Sequence, residues 1–275
     1  MSSSSSSHDD SELPDLDDHL VTPGTRYEML DGELIYVPPA DDPHAERHSS
    51  ILVLLQAHIA TGFTVACDLL TRISKVDDLA PDASVYPSAR DPVTGRRQLM
   101  HLAFEVVSTE TMSHAGKKAG KLAARGVRRV FAINVERDRA LEWSTELGTW
   151  SVLDSGASIC DPALAVPLPV AALLREARTD DLVVRALDLK RHPAIEQIRS
   201  QERTDGLLEG KQLGLLEGKQ LGLLEAVCLT LEARGVPVSD AERAKIHGER
   251  DPSVILRWVV RAGTCVAAAQ LFDDA

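Results

Sequence analysis

The sequence has few aromatic residues, and its cysteines lie far apart. Three tryptophans, three tyrosines and four phenylalanines occur among 275 residues, so a platform on which single-stranded bases could stack is unsupported. The cysteines form no CxxC pair, which argues against a zinc ribbon or a disulfide framework. We expect them to be reduced thiols of a cytoplasmic protein: Cys67, Cys160, Cys228 and Cys265.

Long apolar runs are also missing. No stretch approaches the roughly eighteen residues that a membrane span requires, and residues 51–55 form a typical short run. Met1 is followed by six serines and then by acidic residues, without the apolar segment of a signal peptide. We therefore expect no membrane partner, and we expect residues 1–20 to be a disordered tail.

Basic residues are outnumbered, since 30 Lys and Arg stand against 42 Asp and Glu and the net charge is −12. The excess of acidic residues is unevenly distributed along the chain. Residues 9–18 contain six acids and no Lys or Arg, whereas residues 86–143 contain eleven Lys or Arg and six acids. A basic segment suits a phosphate-bearing substrate, because Lys and Arg neutralise backbone phosphates. A solvated charged face would give the same pattern, and charge alone does not decide between them.

The order of predicted elements indicates one α/β domain over residues 21–175. Asp31-Gly32 is a strong hairpin signal between strands at residues 26–30 and 33–37. A helix follows over residues 43–60, where apolar side chains recur at helical spacing. Further strands and a helix predict a mixed central sheet flanked by helices: strands at 63–66, 69–73, after Asp82, 102–108, 128–135, 140–144 and 149–153, and a helix over 114–125.

The last hundred residues differ, because they are predicted to be a helical extension. Within residues 176–235, Gly206–Leu213 reads GLLEGKQL and Gly214–Leu221 repeats it. Eight residues exceed two helical turns, so the leucine pairs drift by roughly 80° per repeat, which excludes a heptad coiled coil. The regular glycines indicate either a close-packing stripe for a homodimer or a low-complexity linker. Residues 236–275 are predicted to form a small helical module.

Two acidic residues carry the strongest chemical signal. Asp82 begins an apolar strand, and Glu105 lies within the apolar segment Leu102–Val107. A buried carboxylate is costly unless it is paired or binds a metal. Two carboxylates on adjacent strands could hold one hard cation, Mg²⁺ or Mn²⁺, which predicts metal-assisted phosphodiester chemistry. Glu33 could reach the same ion through a water molecule, or it could be an ordinary turn residue.

Two histidines raise an alternative metal site. His44 and His48 stand four residues apart on a predicted helix, a spacing that zinc sites use. The sequence places no third ligand beside them, so capping or packing near the active site is the other interpretation.

Several short segments occur in an order typical of one protein family. They are Tyr27–Leu34, His44 at a helix start, Pro81-Asp82, and Phe104–Ser108 followed by Thr111, Lys118 and Gly126-Val127. Together, over about residues 25–150, they resemble the Uma-type restriction endonucleases, a branch of the PD-(D/E)XK nuclease superfamily. The resemblance implies a restriction-endonuclease-like fold and Mg²⁺-dependent cleavage of DNA, with Asp82 and Glu105 as metal ligands.

The resemblance also implies a catalytic lysine. The superfamily usually places this lysine two residues after the acid, where this chain has Val107. In this family the lysine lies on the following helix, and Lys118 occupies that position, eight residues before Gly126. The alternative for Lys118 is one lysine among several on a basic helix face.

Two functions follow from these features. The first is a metal-dependent DNA endonuclease that needs no small-molecule cofactor. The second is a nuclease-fold protein without activity that acts as a binding or assembly module through its helical tail.

Overall fold

The computed structural model describes residues 13–107, 112–174 and 179–273. Thr111, one of the residues that carry the family resemblance, and residues 1–12 of the predicted tail lie outside this range. The chain divides into two compact units, residues 1–192 and residues 193–275.

The elements of the described chain agree in order with the sequence prediction. The strands are β1 (Tyr27–Leu30), β2 (Glu33–Tyr36), β3 (Phe63–Cys67), β4 (Thr71–Arg72), β5 (Asp78–Leu79), β6 (Ala83–Pro87), β7 (Leu102–Val107), β8 (Arg129–Asn134), β9 (Arg139–Ser144), β10 (Thr149–Val152), β11 (Ser158–Ile159) and β12 (Leu168–Pro169). The helices are α1 (Asp42–His58), α2 (Met112–Arg125), α3 (Val170–Leu174), α4 (Thr179–Leu189), α5 (Pro193–Ala233), α6 (Asp240–Gly248) and α7 (Pro252–Ala262), with a 3₁₀ turn at Ala268–Phe272.

A six-stranded sheet lies at the centre of the first unit, in the order β10-β9-β8-β7-β6-β3. Strands β7 and β8 are parallel, and the other neighbours are antiparallel. The predicted mixed central sheet with flanking helices and a helical C-terminal extension is therefore confirmed.

The predicted hairpin forms the edge of a second sheet, of order β2-β1-β5-β4. Its turn residues Asp31 and Gly32 have φ of 54° and 79°, the positive values that a two-residue hairpin turn requires and that an Asp-Gly pair tolerates. Strand β4 lies within the predicted strand at residues 69–73, whereas β5 was not predicted, because two residues are too few to show an alternating pattern.

The two faces of the central sheet bury different helices. On one face, Ile51, Leu54 and Leu55 of α1 share a core with Phe104 and Phe131, whose rings stack 4.8 Å apart. Helix α1 begins where the Asp41 side chain accepts a hydrogen bond from the His44 amide at 3.2 Å, an N-cap that satisfies one exposed helix donor.

Helix α2 covers the opposite face. Its residues Ala119 and Leu122 pack with Ala103 and Val130 of the sheet. Successive side chains of a strand point to opposite faces, so the residues of β7 divide between the two cores. Leu102, Phe104 and Val106 join the α1 core, which leaves Ala103, Glu105 and Val107 on the α2 face.

Residues 13–20 pack against the rest of the first unit, although the sequence predicts that they are disordered. The Leu20 amide donates to Oδ2 of Asp78 at 2.7 Å, and the Arg72 amide donates to the Leu16 carbonyl at 2.9 Å. Asp78 is fully buried, and a buried carboxylate needs such donors. That requirement comes from the folded domain and cannot be read from the acidic tail itself.

The first compact unit extends to residue 192. Helix α4 packs on α1 through Ala57, Val166 and Ala186, so residues 179–192 join the first unit. In the second unit, α5 is one continuous helix of 41 residues that includes both copies of the repeat. Its C-terminal end shares a small core with α6 and α7, formed by Leu224, Val227, Leu231, Ile246, Ile255 and Trp258. Among the described residues, no helix is both long enough and apolar enough to cross a membrane.

Candidate active site

The pairing of β6 with β7 brings the two predicted metal ligands together. Ala83 pairs with Phe104 and Ser84 with Ala103, so the next pair in this antiparallel register is Asp82 with Glu105. Directly opposite residues lie on one face of a sheet, with Cβ atoms about 4.5–5.5 Å apart. The connection is reinforced at the backbone, because the Val106 amide donates to Oδ2 of Asp82 at 2.6 Å.

Lys118 reaches the same place from helix α2. Its Nζ lies 3.1 Å from Oε2 of Glu105, and the exposed fractions of the two side chains are 8% and 3%. The structure therefore brings together three of the four residues predicted from the sequence. Val107, where the superfamily usually has its lysine, is fully buried against Ala115 and Ala132. A lysine at that position would be buried in an apolar core, far from solvent.

A third carboxylate of the cluster, Glu28 of β1, was not predicted from the sequence. Its Oε2 lies 3.2 Å from Nζ of Lys118, and its Oε1 accepts a hydrogen bond from the Ala80 amide at 2.9 Å. Glu28 is 4% exposed. The available signal was its spacing from the buried Leu30, because residues two apart on a strand share a face.

Glu33, the fourth predicted residue, lies elsewhere on the hairpin. It is exposed at the start of β2, opposite Leu30. In the described part of the chain, no hydrogen bond or ion pair joins Glu33 to Lys118, Asp82 or Glu105. The hairpin therefore contributes Glu28 to the cluster by direct contact, and a water-mediated role of Glu33 stays a prediction.

The two histidines of α1 also lie close to Asp82. His44 Nε2 lies 3.7 Å from Oδ2 of Asp82. His48 Nε2 contacts the main-chain carbonyl oxygen of Asp82 and lies 4.0 Å from Oδ1 of Asp68. The two rings are 6.4 Å apart and nearly perpendicular. Asp68 follows β3 directly, and no motif in the sequence singles it out.

These contacts set opposite protonation tendencies for two aspartates. Burial alone would raise the pKa of Asp82, but the nearby His44 ring, the charge of Lys118 and the Val106 amide together lower it. The pKa of Asp68 is raised, because nearby protein displaces part of its hydration and the negative charge of Asp82 adds to the effect, although His48 opposes it. Asp82 is thus held ionised, the form that a metal ligand requires.

The donor set fits a hard divalent cation. Carboxylate oxygens are the ligands that Mg²⁺ and Mn²⁺ prefer, and Asp82 and Glu105 present them from neighbouring strands. The ammonium group of Lys118 lies beside two buried carboxylates, which shows that the cluster accepts positive charge. Asp82 and Glu105 could therefore hold the cation, with Glu28 adjacent to them.

Much of the basic segment at residues 86–143 is paired within the domain. Lys121 binds Asp31 at 2.5 Å and Asp77 at 3.1 Å. Arg129 binds Glu142 at 2.6 Å. Lys117, by contrast, is exposed. Local charge in the sequence therefore overstates the basic surface open to a phosphate substrate.

Comparisons with known proteins place the chain in a family. A crystal structure described as a "putative nuclease belonging to DUF820" from Anabaena variabilis ATCC 29413 is 14% identical, with a TM-score of 0.45, and the match covers 54% of this chain and 89% of that one. No curated protein matches the chain. The Uma2 family, described as "putative restriction endonuclease", matches residues 11–165. That match includes every residue of the carboxylate and lysine cluster, and the chain belongs to the Uma2 family.

Proposed function

We propose that the protein is a divalent-metal-dependent DNA endonuclease whose Asp82 and Glu105 hold Mg²⁺ or Mn²⁺. The observation that carries this proposal is the convergence of Asp82, Glu105 and Lys118 from two adjacent strands and a helix. Membership of a restriction-endonuclease family supports DNA as the substrate.

Each residue has a distinct task in this proposal. The bound cation would polarise the scissile phosphate and lower the pKa of an attacking water molecule. His44 and the Val106 amide keep Asp82 ionised and oriented. Lys118 supplies a fixed positive charge where negative charge develops on the phosphate, and Glu28 orients its ammonium group.

The charge balance of the cluster explains why a cation is needed. Glu28, Asp82 and Glu105 surround one lysine, so without a metal the site is negative and would repel a phosphodiester. Binding of a divalent ion reverses this, because the ion's own charge is the largest local one. Cleavage should consequently depend steeply on the divalent cation.

The test is nicking of supercoiled plasmid by the purified full-length protein, with and without Mg²⁺ or Mn²⁺. Asp82→Asn and Glu105→Gln should each abolish divalent-dependent nicking. Glu146→Gln is the matched control, since Glu146 is exposed in the turn between β9 and β10. Glu33→Gln examines the predicted water-mediated role. Cleavage by both Asp82→Asn and Glu105→Gln at the wild-type rate would overturn the assignment.

We also propose that α5 mediates formation of a homodimer. The two copies of the repeat leave six leucines more than half exposed: Leu207, Leu208, Leu213, Leu215, Leu216 and Leu221. A Cβ built at Gly206, Gly210, Gly214, Gly218 or Gly222 would meet no described atom within 4 Å. Exposed leucines beside open glycines suit close approach of a second copy, and exposed apolar side chains that cluster in this way mark interaction sites.

A further inference from the structure

We propose that His48, Asp68 and Asp82 form a second metal site, which takes a transition-metal ion of the zinc type. The three residues come from different parts of the first unit: His48 from α1, Asp68 from the end of β3, and Asp82 from the start of β6. The site shares Asp82 with the proposed magnesium site, but its existence does not require nuclease activity.

The geometry suits one ion. One nitrogen of His48 and one carboxylate oxygen from each aspartate all lie within 4.8 Å of one another, and the His48 Nε2 to Asp68 Oδ1 distance is 4.0 Å. Zinc binds imidazole nitrogen and carboxylate oxygen at about 2.0–2.2 Å, so two of its ligands stand at most roughly 4.4 Å apart. A small inward movement of one side chain completes the arrangement.

The donor types distinguish this site from the neighbouring one. An imidazole together with carboxylates favours zinc and related ions, whereas oxygen-only sets favour Mg²⁺. Glu105 contacts Lys118, whose Nζ lies 3.1 Å from its Oε2. Three protein ligands with a position open to solvent are typical of zinc sites that keep a bound water, and the Asp68 side chain is 68% exposed.

The charges around Asp68 also favour a cation. Asp82 and Glu28 are the negative groups near Asp68, and Arg26 is a positive one. A divalent ion between Asp68 and Asp82 would replace the repulsion between them with attraction to both carboxylates. The same ion would replace the proton on Nε2 of His48. In the metal-free structure this nitrogen contacts the carbonyl oxygen of Asp82.

The experiment is calorimetric titration of the full-length, metal-free protein with Zn²⁺ and, separately, with Mg²⁺. His48→Ala and Asp68→Asn should each weaken Zn²⁺ binding at least tenfold and leave Mg²⁺ binding unchanged. Glu105→Gln should do the reverse. Asp68→Asn keeps the test valid if His48→Ala perturbs folding, because the Asp68 side chain is largely exposed.

Two controls separate this site from other zinc ligands. Cys67 is an exposed thiol beside Asp68, and His247 is an exposed histidine of the second unit. Cys67→Ser and His247→Ala should leave Zn²⁺ affinity unchanged. Wild-type Zn²⁺ affinity in both His48→Ala and Asp68→Asn would overturn the proposal, as would an equal loss in Cys67→Ser. If Glu105→Gln alone loses Mg²⁺ binding and keeps Zn²⁺ binding, the proposed magnesium site is separate from the zinc site, as we expect.

Discussion

Nζ of Lys118 lies 3.1 Å from Oε2 of Glu105, thirteen residues earlier in the chain, and 3.2 Å from Oε2 of Glu28. One buried ammonium group thus compensates two buried carboxylates that come from different sheets. Breaking such a buried pair by removing one partner typically costs about 3–5 kcal/mol, because a charge is left without compensation. Lys118 therefore has a structural task as well as a proposed catalytic one.

Lys118→Ala should lose both stability and activity. We expect the free energy of unfolding at neutral pH to fall by about 3–5 kcal/mol, and turnover to fall of order 10²-fold or more at any salt concentration. Urea denaturation and single-turnover cleavage at two salt concentrations measure the two effects. Lys117→Ala is the control, because Lys117 is exposed on the same helix. Equal losses in the two variants would remove Lys118 from the site.

Lys121→Ala should behave differently from both Lys118→Ala and Lys117→Ala. Lys121 binds Asp31 and Asp77, so it fastens α2 to the hairpin sheet and has no contact with Glu105 among those described. We expect lower stability with turnover per folded molecule largely retained. A selective loss of turnover in Lys121→Ala, at unchanged stability, would assign it to the site instead.

Asp82→Asn should remove a pH-dependent part of the stability. The folded-state pKa of Asp82 lies below its ordinary value of 3.8. The stabilisation from this carboxylate is therefore fully present above pH 3.8 and is lost as pH falls through the lower, folded-state pKa. Urea denaturation at several pH values gives the free energy of unfolding of wild type and Asp82→Asn. The two free energies should differ most near neutral pH and converge in acid. A difference that stays constant from neutral to acidic pH would contradict a lowered pKa of Asp82.

Asp68→Asn should change the stability in the direction opposite to Asp82→Asn. Because the folded-state pKa of Asp68 is raised, its ionised form is disfavoured in the folded protein at neutral pH, and this penalty disappears as pH falls below the ordinary value of 3.8. We expect Asp68→Asn to raise the melting temperature of the metal-free protein by no more than about 2 °C, since the side chain is largely exposed. A lower melting temperature at pH 7 would show that Asp68 is held by favourable contacts.

Two glycines of α2 should respond unequally to the same change. A Cβ at Gly116 would lie 3.2 Å from the Trp143 ring and 3.3 Å from Nε1 of Trp150, whereas at Gly120 the nearest atom is 3.4 Å away. Alanine is favoured over glycine in a helix by roughly 1 kcal/mol. Gly120→Ala should keep most of that gain, and Gly116→Ala should lose it and displace the helix that carries Lys118. Thermal unfolding and Mg²⁺ titration of both variants measure this, and the reverse order would disprove it.

Charged residues in the repeat should dissociate the proposed homodimer. Leu208→Lys with Leu216→Lys places two charges on the exposed apolar surface of α5, and Leu189→Lys changes a leucine of similar exposure in the first unit. Light scattering should report a halved mass per particle for the double variant and the wild-type mass for the control. The same mass for wild type and the double variant would rule out assembly through these leucines.

The parts of the fold that follow from local signals were predictable. The Asp31-Gly32 turn fixes its own dihedral angles, Gly126 marks the end of helix α2, and strand β7 is an apolar segment apart from Glu105. Glu105 could be identified because it is a carboxylate inside that segment, whereas Lys118 was identified from the family resemblance. The two-residue strand β5 could not be predicted, since its pairing depends on residues elsewhere in the fold.

The remaining residues of the cluster depend on tertiary packing. Glu28 lies in a four-residue strand and differs from Glu33 only by facing inward, which is decided when the hairpin sheet packs near Ala80. Asp68 ends a strand whose sequence carries no motif, and it meets His48 only once β3 lies beside β6. The contact between Asp68 and His48 leaves no spacing in the sequence to detect, whereas the spacing of Glu28 from Leu30 was a weak signal.

The opposed positions of Asp82 and Glu105 are set by strand register, and this has a consequence for how the protein can change. Residues 88–96, which follow β6, are mostly exposed. Insertions or deletions there would leave the two carboxylates facing each other, whereas adding one residue inside β6 or β7 would turn a carboxylate toward the α1 core. Relatives of this chain can therefore vary the length of that segment freely, while the two strands on either side must keep their length to the residue.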